Sequence, residues 1–238
     1  MKKLTLLLFI FISFNLSSQI VYESVHRTNI YDFLDELANE KLISINSVVK
    51  PYSRMFIAEK LQEAYEQKDQ LSKRQKEEIE FYMKDYRLEL VYNTTGMKPL
   101  NIFPKKDNLA TSLNPMAVTY RDSLVAFSLR PIYGLEYFIN ANESAFHRWG
   151  GAEMFGYISK NFGAWTSLRD NHENITMTDP GYFNQRHGSP VKGSQNGGID
   201  YSEARGGAMA SWSWGAIGVV KDYVVFGNNY NGSNILSG

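Results

Sequence analysis

The last part of the chain contains two stretches of strand length that are rich in aromatic and small residues, yet both carry charges. They are Ser202–Trp214 and Ala216–Phe226, and a single glycine, Gly215, separates them. A strand that crosses a bilayer at a tilt needs roughly 9–11 residues. A soluble sheet hides its apolar side chains, whereas a membrane barrel turns them to lipid and keeps polar ones in its lumen. The pattern favours the membrane barrel.

The two faces of these strands differ in the way that a barrel wall requires. In Ser202–Trp214 one face is uncharged and consists mainly of Ala, Gly and Trp, and the other carries Glu203 and Arg205. We therefore predict that Glu203, Arg205 and Lys221 are lumen charges, which could equally form an ion-pair ladder that rigidifies the wall. Lys221 and Asp222 are neighbours and must point to opposite faces. One of them is therefore expected near a membrane interface or at a bulge.

The first residues predict export from the cytoplasm. Met1-Lys2-Lys3 is a basic start, Leu4–Phe14 is an uncharged and mostly apolar run, and small residues follow it. The apolar run is shorter than the ~20 residues of a membrane-spanning helix. This is the pattern of a secretory signal peptide, residues 1–19, with cleavage between Ser17 and Ile20.

The remaining sequence divides by its periodicity into an α+β chain. Residues 20–92 show the apolar spacing of three amphipathic helices, with Ser53 as an N-cap and Ser72 with Gln75 as a capping box. Residues 93–114 are rich in Asn, Pro and Lys, and they are predicted to be a linker. Residues 115–238 alternate with period two, and they predict about six antiparallel strands of a transmembrane β-barrel.

The predicted connections alternate between tight turns and longer loops. Tight turns are expected at residues 121–123, 160–161 and 215, and longer loops at 140–147, 171–200 and from 227 onward. Short periplasmic turns and longer exterior loops are typical of outer-membrane barrels, although a secreted β-sandwich could show the same alternation. The smallest such barrels have about eight strands. We therefore expect an incomplete barrel whose remaining strands are absent from this chain.

Several segments are similar to the Wzi family of capsule assembly outer-membrane proteins, particularly its Bacteroidetes-type members. The segments are Tyr201–Gly207, Trp212–Gly215, Gly218–Asp222 with Gly227-Asn228, Ile30–Leu37 and Pro51–Arg54. The resemblance implies a large barrel with a periplasmic helical bundle near its mouth. It also implies a non-enzymatic protein that binds or anchors capsular polysaccharide at the cell surface. The chain is shorter than the family pattern and resembles its N-terminal part.

No pattern of catalytic or metal-binding residues stands out. The chain has no cysteine, and its four histidines form no metal-ligand pair. No P-loop or nucleophile elbow is present either. The formal net charge is zero, which gives no reason to expect a nucleic-acid partner. We expect no enzymatic activity and no cofactor.

Binding residues are expected in the predicted loops, because sugar rings contact aromatic faces and their hydroxyl groups bond to amide and charged side chains. The candidate polysaccharide-binding residues are Asn171, His172, Tyr182, Asn184, Arg186, Asn228, Asn229 and Tyr230. The expected partners are capsular or another surface polysaccharide and the lipid of the outer membrane. A porin-like or substrate-specific channel and a secreted glycan-active enzyme are the alternatives.

Overall fold

The computed structural model describes residues 20–46, 48–90, 109–139, 144–183, 189–227 and 236–237. Its helices are α1, Thr28–Asn39, α2, Arg54–Glu66, and α3, Lys73–Asp85. Ser53 caps α2 by accepting a hydrogen bond from the backbone N–H of Phe56. Ser72 and Gln75 form the predicted capping box at the start of α3. Each cap satisfies backbone donors that have no partner inside the helix.

Eleven strands lie in the described residues. They are β1, Val49–Lys50; β2, Leu109–Leu113; β3, Met116–Arg121; β4, Val125–Ile139; β5, Ser144–Ile158; β6, Phe162–Glu173; β7, Val191–Gln195; β8, Gly198–Trp212; β9, Gly215–Lys221; β10, Val225–Phe226; and β11, Leu236–Ser237. Strands β2 to β9 form one antiparallel sheet of eight strands. Strands β1, β10 and β11 form a small separate sheet. The chain is therefore α+β, as the sequence predicts.

The large sheet is open in the described residues. Its strands follow the order β2-β3-β4-β5-β6-β8, and both β7 and β9 pair with the far edge of β8. The two pairings use different parts of β8, since β7 contacts residues 198–201 and β9 contacts residues 206–212. Strand β2 forms the other edge of the sheet. The sheet as described is thus a wall with two edges and not a closed barrel.

The helices share one apolar core, and the sheet adds a second. The first consists of buried residues from all three helices, among them Leu34, Leu61 and Ile79. The second joins the N-terminal segment to one face of the sheet through Val21, Phe155, Tyr157, Trp165 and Met209. The helical bundle is therefore attached to the sheet.

Several predicted boundaries are wrong. Strand β2 lies inside the predicted linker 93–114, whose residues 93–108 are outside the described part of the chain. Strand β7 and the start of β8 lie inside the predicted loop 171–200. Within the predicted range 115–238 the sheet has seven strands, β3 to β9, where about six are predicted. The last hairpin turns at Ser213-Trp214, because Gly215 is already paired in β9 and one residue is too short to reverse a strand.

Candidate functional site

The large sheet has two faces with opposite character. We call one the covered face, and it carries Ser128, Arg130, Phe155, Tyr157, Trp165, Glu203 and Met209, all of them buried. We call the other the open face, and it exposes Tyr133, Leu135, Met154, Leu168, Ile217 and Val219. Successive side chains of a strand alternate between faces, so each strand contributes to both. The apolar face is the exposed one, which is the reverse of a soluble sheet.

A buried ionic network attaches the helical bundle to the covered face. Arg54 at the start of α2 is 1% exposed, and it bonds to the carboxylates of Glu23 and, at 2.7 Å, Glu89. Its guanidinium lies between the rings of Tyr86 and Phe155, with its central carbon 4.2 and 3.9 Å from the two ring centroids. Phe155 belongs to β5, so this arginine joins helix and wall directly.

Asp85 at the end of α3 makes a second ionic link to the wall. It pairs with Arg130 of β4 and, at 2.7 Å, with Arg27. Burial alone would raise the pKa of this carboxyl, but Arg27 and Arg130 outweigh burial and lower the pKa below its usual range. Burial opposes ionisation of Glu23 in the same way, and Arg27 and Arg54 lower its pKa. Both carboxyl groups are therefore held ionised.

Glu203 organises a second polar cluster on the covered face, farther from the helices. Its carboxylate accepts hydrogen bonds from Arg169 Nε at 2.5 Å and from Arg205 Nη2 at 2.9 Å. Asn171 Nδ2 donates to it at 3.2 Å, and the hydroxyl of Tyr182 donates to it as well. Four side chains from β6, β8 and the segment before β7 thus converge on one buried carboxylate. The cluster fixes the direction of two arginines.

Aromatic rings surround the Glu203 cluster. Tyr182 stacks on Tyr223 with ring centroids 6.1 Å apart, and Phe183 meets Tyr201 edge-on at 5.0 Å. His147 lies 4.8 Å from the centroid of Trp149. Arg169 lies 5.7 Å above the Trp149 ring. Aromatic faces beside fixed charges are suited to a ligand that is apolar on one side and polar on another.

Two cavities open near these residues. One, of about 320 Å³, lies on the covered face between the N-terminal segment and the wall, and Trp149, Arg27, Arg169 and Arg205 line it. The other, of about 510 Å³, lies where β5, β6 and β8 approach their loops, and its lining includes His172. Among the described residues, no group of His, Asp and Glu is arranged to hold a metal ion.

His26 borders the smaller cavity and is uncharged near neutral pH. Burial lowers its pKa to about 4, and the positive charge of Arg205 contributes in the same direction. Its imidazole therefore offers one donor and one acceptor and no charge. The ring also meets Tyr223 edge-on, with centroids 4.7 Å apart.

The structure brings together only part of the predicted binding set. Asn171 and Tyr182 both bond to Glu203, and Glu203 and Arg205 lie on the same face of β8. His172 lies on the other face, where its Nδ1 is 2.7 Å from Asp200. Five predicted residues lie outside the described part of the chain: Asn184, Arg186, Asn228, Asn229 and Tyr230.

Lys221 does not share a face with Glu203 and Arg205, as the predicted set of lumen charges requires. Lys221 pairs with Gly206 and shares the open face with Ile217 and Val219. Its neighbour Asp222 takes the covered side and accepts a hydrogen bond from Trp165 Nε1 at 3.3 Å. The pairing of β9 with β8 decides which of the two neighbours lies on the covered face.

Sequence reasoning missed the ionic residues of the bundle and the role of Trp149. Arg54 and Glu89 are 35 positions apart, and no local pattern pairs them. Trp149 could have been predicted to lie on the polar face of its strand, because alternation places it on the same face as Glu153.

None of the described helices is both long enough and apolar enough to cross a bilayer. Comparisons with protein-family models, with curated proteins and with solved structures return no match.

Proposed function

We propose that the chain forms part of the wall and the periplasmic helical bundle of an outer-membrane β-barrel that binds or anchors capsular polysaccharide at the cell surface. One observation carries this proposal. The open face of the sheet exposes large apolar side chains, with Val219 82% exposed, while the opposite face buries charges. In water this arrangement would be costly, since each exposed large apolar side chain forgoes about 1.5–3 kcal/mol of burial. In a bilayer the same face is solvated by lipid.

The extent of the apolar surface supports a membrane-spanning wall. On β5 the open face runs from Ile158 to Arg148, which is its first charged residue in that direction. These ten positions measure about 33 Å along a strand. At a tilt of about 40° they cover about 25 Å of thickness, which is the height of the apolar band of outer-membrane barrels.

The charged limit of the apolar surface lies at different levels on different strands. The first open-face charge is Arg148 on β5, and Asp170 on β6 lies two residues nearer the tight turns. Lys221 on β9 is level with Thr166 of β6, which is four residues nearer again. On β8 the first open-face charge, Asp200, is level with Arg148, so the limit is uneven and Lys221 marks its point nearest the tight turns. Lys221 then lies at the membrane interface.

The open edges of the sheet support a larger barrel. An unpaired strand edge inside a bilayer leaves backbone groups without partners, each at a cost of several kcal/mol. Strand β2 lies at one such edge in the described residues, and β7 and β9 lie at the other. The proposal therefore requires that further strands pair with both edges.

The position of the bundle supports a periplasmic location for the helices. Met55 and Leu88 border a small hollow together with the turn at Asp122-Ser123, and Arg87 bonds to Thr119 of β3 at 3.2 Å. The bundle thus lies at the end of the sheet where the turns are tight. Tight turns face the periplasm in outer-membrane barrels.

The polysaccharide part of the proposal depends on the resemblance to the Wzi family and on the aromatic and charged surface around Glu203. It is tested in a bacterium that produces a capsule and encodes this chain. Deletion of the gene is expected to release capsule from the cells into the medium without stopping its synthesis. The protein is expected in the outer-membrane fraction, and its purified form is expected to give no steady open-pore conductance. Fractionation into the soluble periplasm would refute the membrane part, and unchanged capsule retention would refute the role in anchoring.

A further inference from the structure

Two tryptophans on the covered face lie over glycines of the neighbouring strand. Trp149 of β5 pairs with Gly134 of β4, and a Cβ at Gly134 would overlap the indole ring. Trp165 of β6 covers Gly207 of β8 in the same way. An aromatic side chain over a cross-strand glycine is a known device for stabilising a sheet. It also turns the broad face of the ring away from the wall.

The two rings differ in what covers that broad face. Trp165 is 8% exposed, because Tyr22 of the N-terminal segment meets it edge-on with centroids 5.5 Å apart. Trp149 is half-buried and lines the cavity of about 320 Å³. Trp165 is therefore a core residue, whereas Trp149 keeps part of its ring open toward a space of ligand size.

The charge that this cavity presents is mainly positive. Arg27 and Arg169 line it with 32% and 25% of their side chains exposed. Glu203, which orients Arg169, is only 3% exposed and lies beneath the guanidinium groups. Glu153 is the partly exposed carboxylate of the lining, and it lies 2.6 Å from Arg130. A negatively charged ligand would thus meet guanidinium groups before it meets the buried carboxylate.

We propose that this cavity binds one acidic sugar ring, a uronic acid residue of a polysaccharide. The C–H groups of one ring face would lie on the indole of Trp149, where the electron-rich aromatic face attracts them. The carboxylate would bond to Arg169 and Arg27, because guanidinium groups bind carboxylates in a fork. The hydroxyl groups would bond to Glu153 and Ser167, which line the same cavity. This inference rests on the proposed function, since that function supplies polysaccharide as the ligand, and it adds a location and a class of sugar.

The inference is tested by binding of short oligosaccharides to the purified full-length protein in detergent micelles. The acidic probes are tetrasaccharides that contain glucuronic or galacturonic acid, and the neutral probe is a tetrasaccharide of N-acetylglucosamine. Wild-type protein is expected to bind an acidic probe at least tenfold more tightly than the neutral one. Addition of salt is expected to weaken only the acidic interaction. Equal affinity for both, or no binding of either acidic probe, overturns the inference.

Substitutions locate the site. W149A is expected to weaken binding of the acidic probe at least tenfold, and G134A should do the same by pushing the indole off the wall. G150A is the matched control, because a Cβ at Gly150 meets nothing within 4 Å, and it should bind within twofold of wild type. If W149A fails to fold, W149F carries the test. Binding of the acidic probe is expected to quench the fluorescence of Trp149 in wild type, and W149F should lack this quenching and bind the probe several-fold more weakly. Wild-type affinity in W149F and G134A overturns the inference.

Failure of this inference is distinguishable from failure of the proposed function. If deletion of the gene releases capsule but cells with W149F retain it normally, the protein anchors capsule through another surface. If the protein is not in the outer membrane, the proposed function fails whatever the oligosaccharides do.

Discussion

Replacement of Arg54 by methionine is expected to be the most damaging single change in the helical bundle. Methionine fills much of the volume of the arginine stem but removes its charge. Glu23 would keep Arg27 at 3.3 Å and the hydroxyl of Tyr86 at 2.7 Å. Glu89 would keep only the hydroxyl of Tyr157 at 2.8 Å, because Arg54 is its one cationic partner in the described residues. The variant would therefore leave one buried carboxylate without a positive charge.

Breaking a buried ion pair by removal of one partner costs about 3–5 kcal/mol. This corresponds to a decrease of roughly 10²–10⁴ in the equilibrium constant for folding of the bundle. The assay is urea unfolding in detergent micelles, followed by the helical circular dichroism signal at 222 nm. At that wavelength a helical residue gives a larger signal than a strand residue, so the change on unfolding is weighted toward the bundle.

The matched control is Arg74→Met on α3. Arg74 also pairs with two carboxylates, Glu36 and Glu78, but its side chain is 59% exposed. Exposed ion pairs contribute about 0.2–1 kcal/mol to stability, so the free energy of unfolding of this variant should fall by no more than that. If R54M and R74M lower the free energy of unfolding by the same small amount, the ionic attachment of the bundle to the wall is wrong as described.

Three further predictions concern acid sensitivity, membrane insertion and helix capping. Because the folded-state pKa of Asp85 is lowered, its contribution to stability is present above its usual pKa and is lost as pH falls from about 5 through the folded pKa. The free energy of unfolding of D85N, measured with urea, should therefore fall less steeply below pH 5 than that of wild type. An equal dependence on pH would contradict this. Met154→Lys, near the middle of the apolar run between Ile158 and Arg148 on β5, should reduce the amount of heat-resistant barrel in outer-membrane fractions, because a charge in mid-membrane costs about 2–4 kcal/mol. Lys221→Ala is the control, and equal effects would refute the open face as the lipid surface. Ser72→Ala and Gln75→Ala should each lower bundle stability by about 0.5–2 kcal/mol, and no change in either would contradict the capping box.

Local features of the fold could be predicted from the sequence because their causes are local. The caps at Ser53 and Ser72 depend on residues within three positions, and the structure contains both. The separation of faces in β8 follows from alternation alone, so the sequence is sufficient to place Glu203 and Arg205 on one side of the strand. The same rule could state that Lys221 and Asp222 point apart, but it could not decide which of them points inward.

The hairpin of β7 and β8 has a local sequence signal that the predicted loop 171–200 overlooks. Its turn is Asn196-Gly197, with φ of 52° and 83°, and Asn-Gly is the preferred pair for a two-residue hairpin turn. The surrounding sequence is rich in Gly, Ser and Asn, which is a composition typical of loops. The dipeptide is the more specific of the two signals, because it requires a particular backbone conformation.

The candidate site could not be assembled from sequence because its members are far apart along the chain. Asn171 and Glu203 are 32 positions apart, and Arg27 reaches the same cavity from the helical segment. The sequence prediction placed the binding residues in loops, whereas the side chains around the cavity belong largely to strands. Pairing between distant strands, which no local pattern encodes, determines these neighbours.

The ionic network also bears on the order in which the protein is built. Glu23, Asp85 and Glu89 precede the wall in the chain, and the same segment supplies two guanidinium groups, Arg27 and Arg54. A nascent bundle thus has one carboxylate in excess until Arg130 arrives on β4. Docking of the bundle on a surface without that arginine would bury a carboxylate that has no positive partner. The charge of Arg130 therefore favours docking of the bundle on β4.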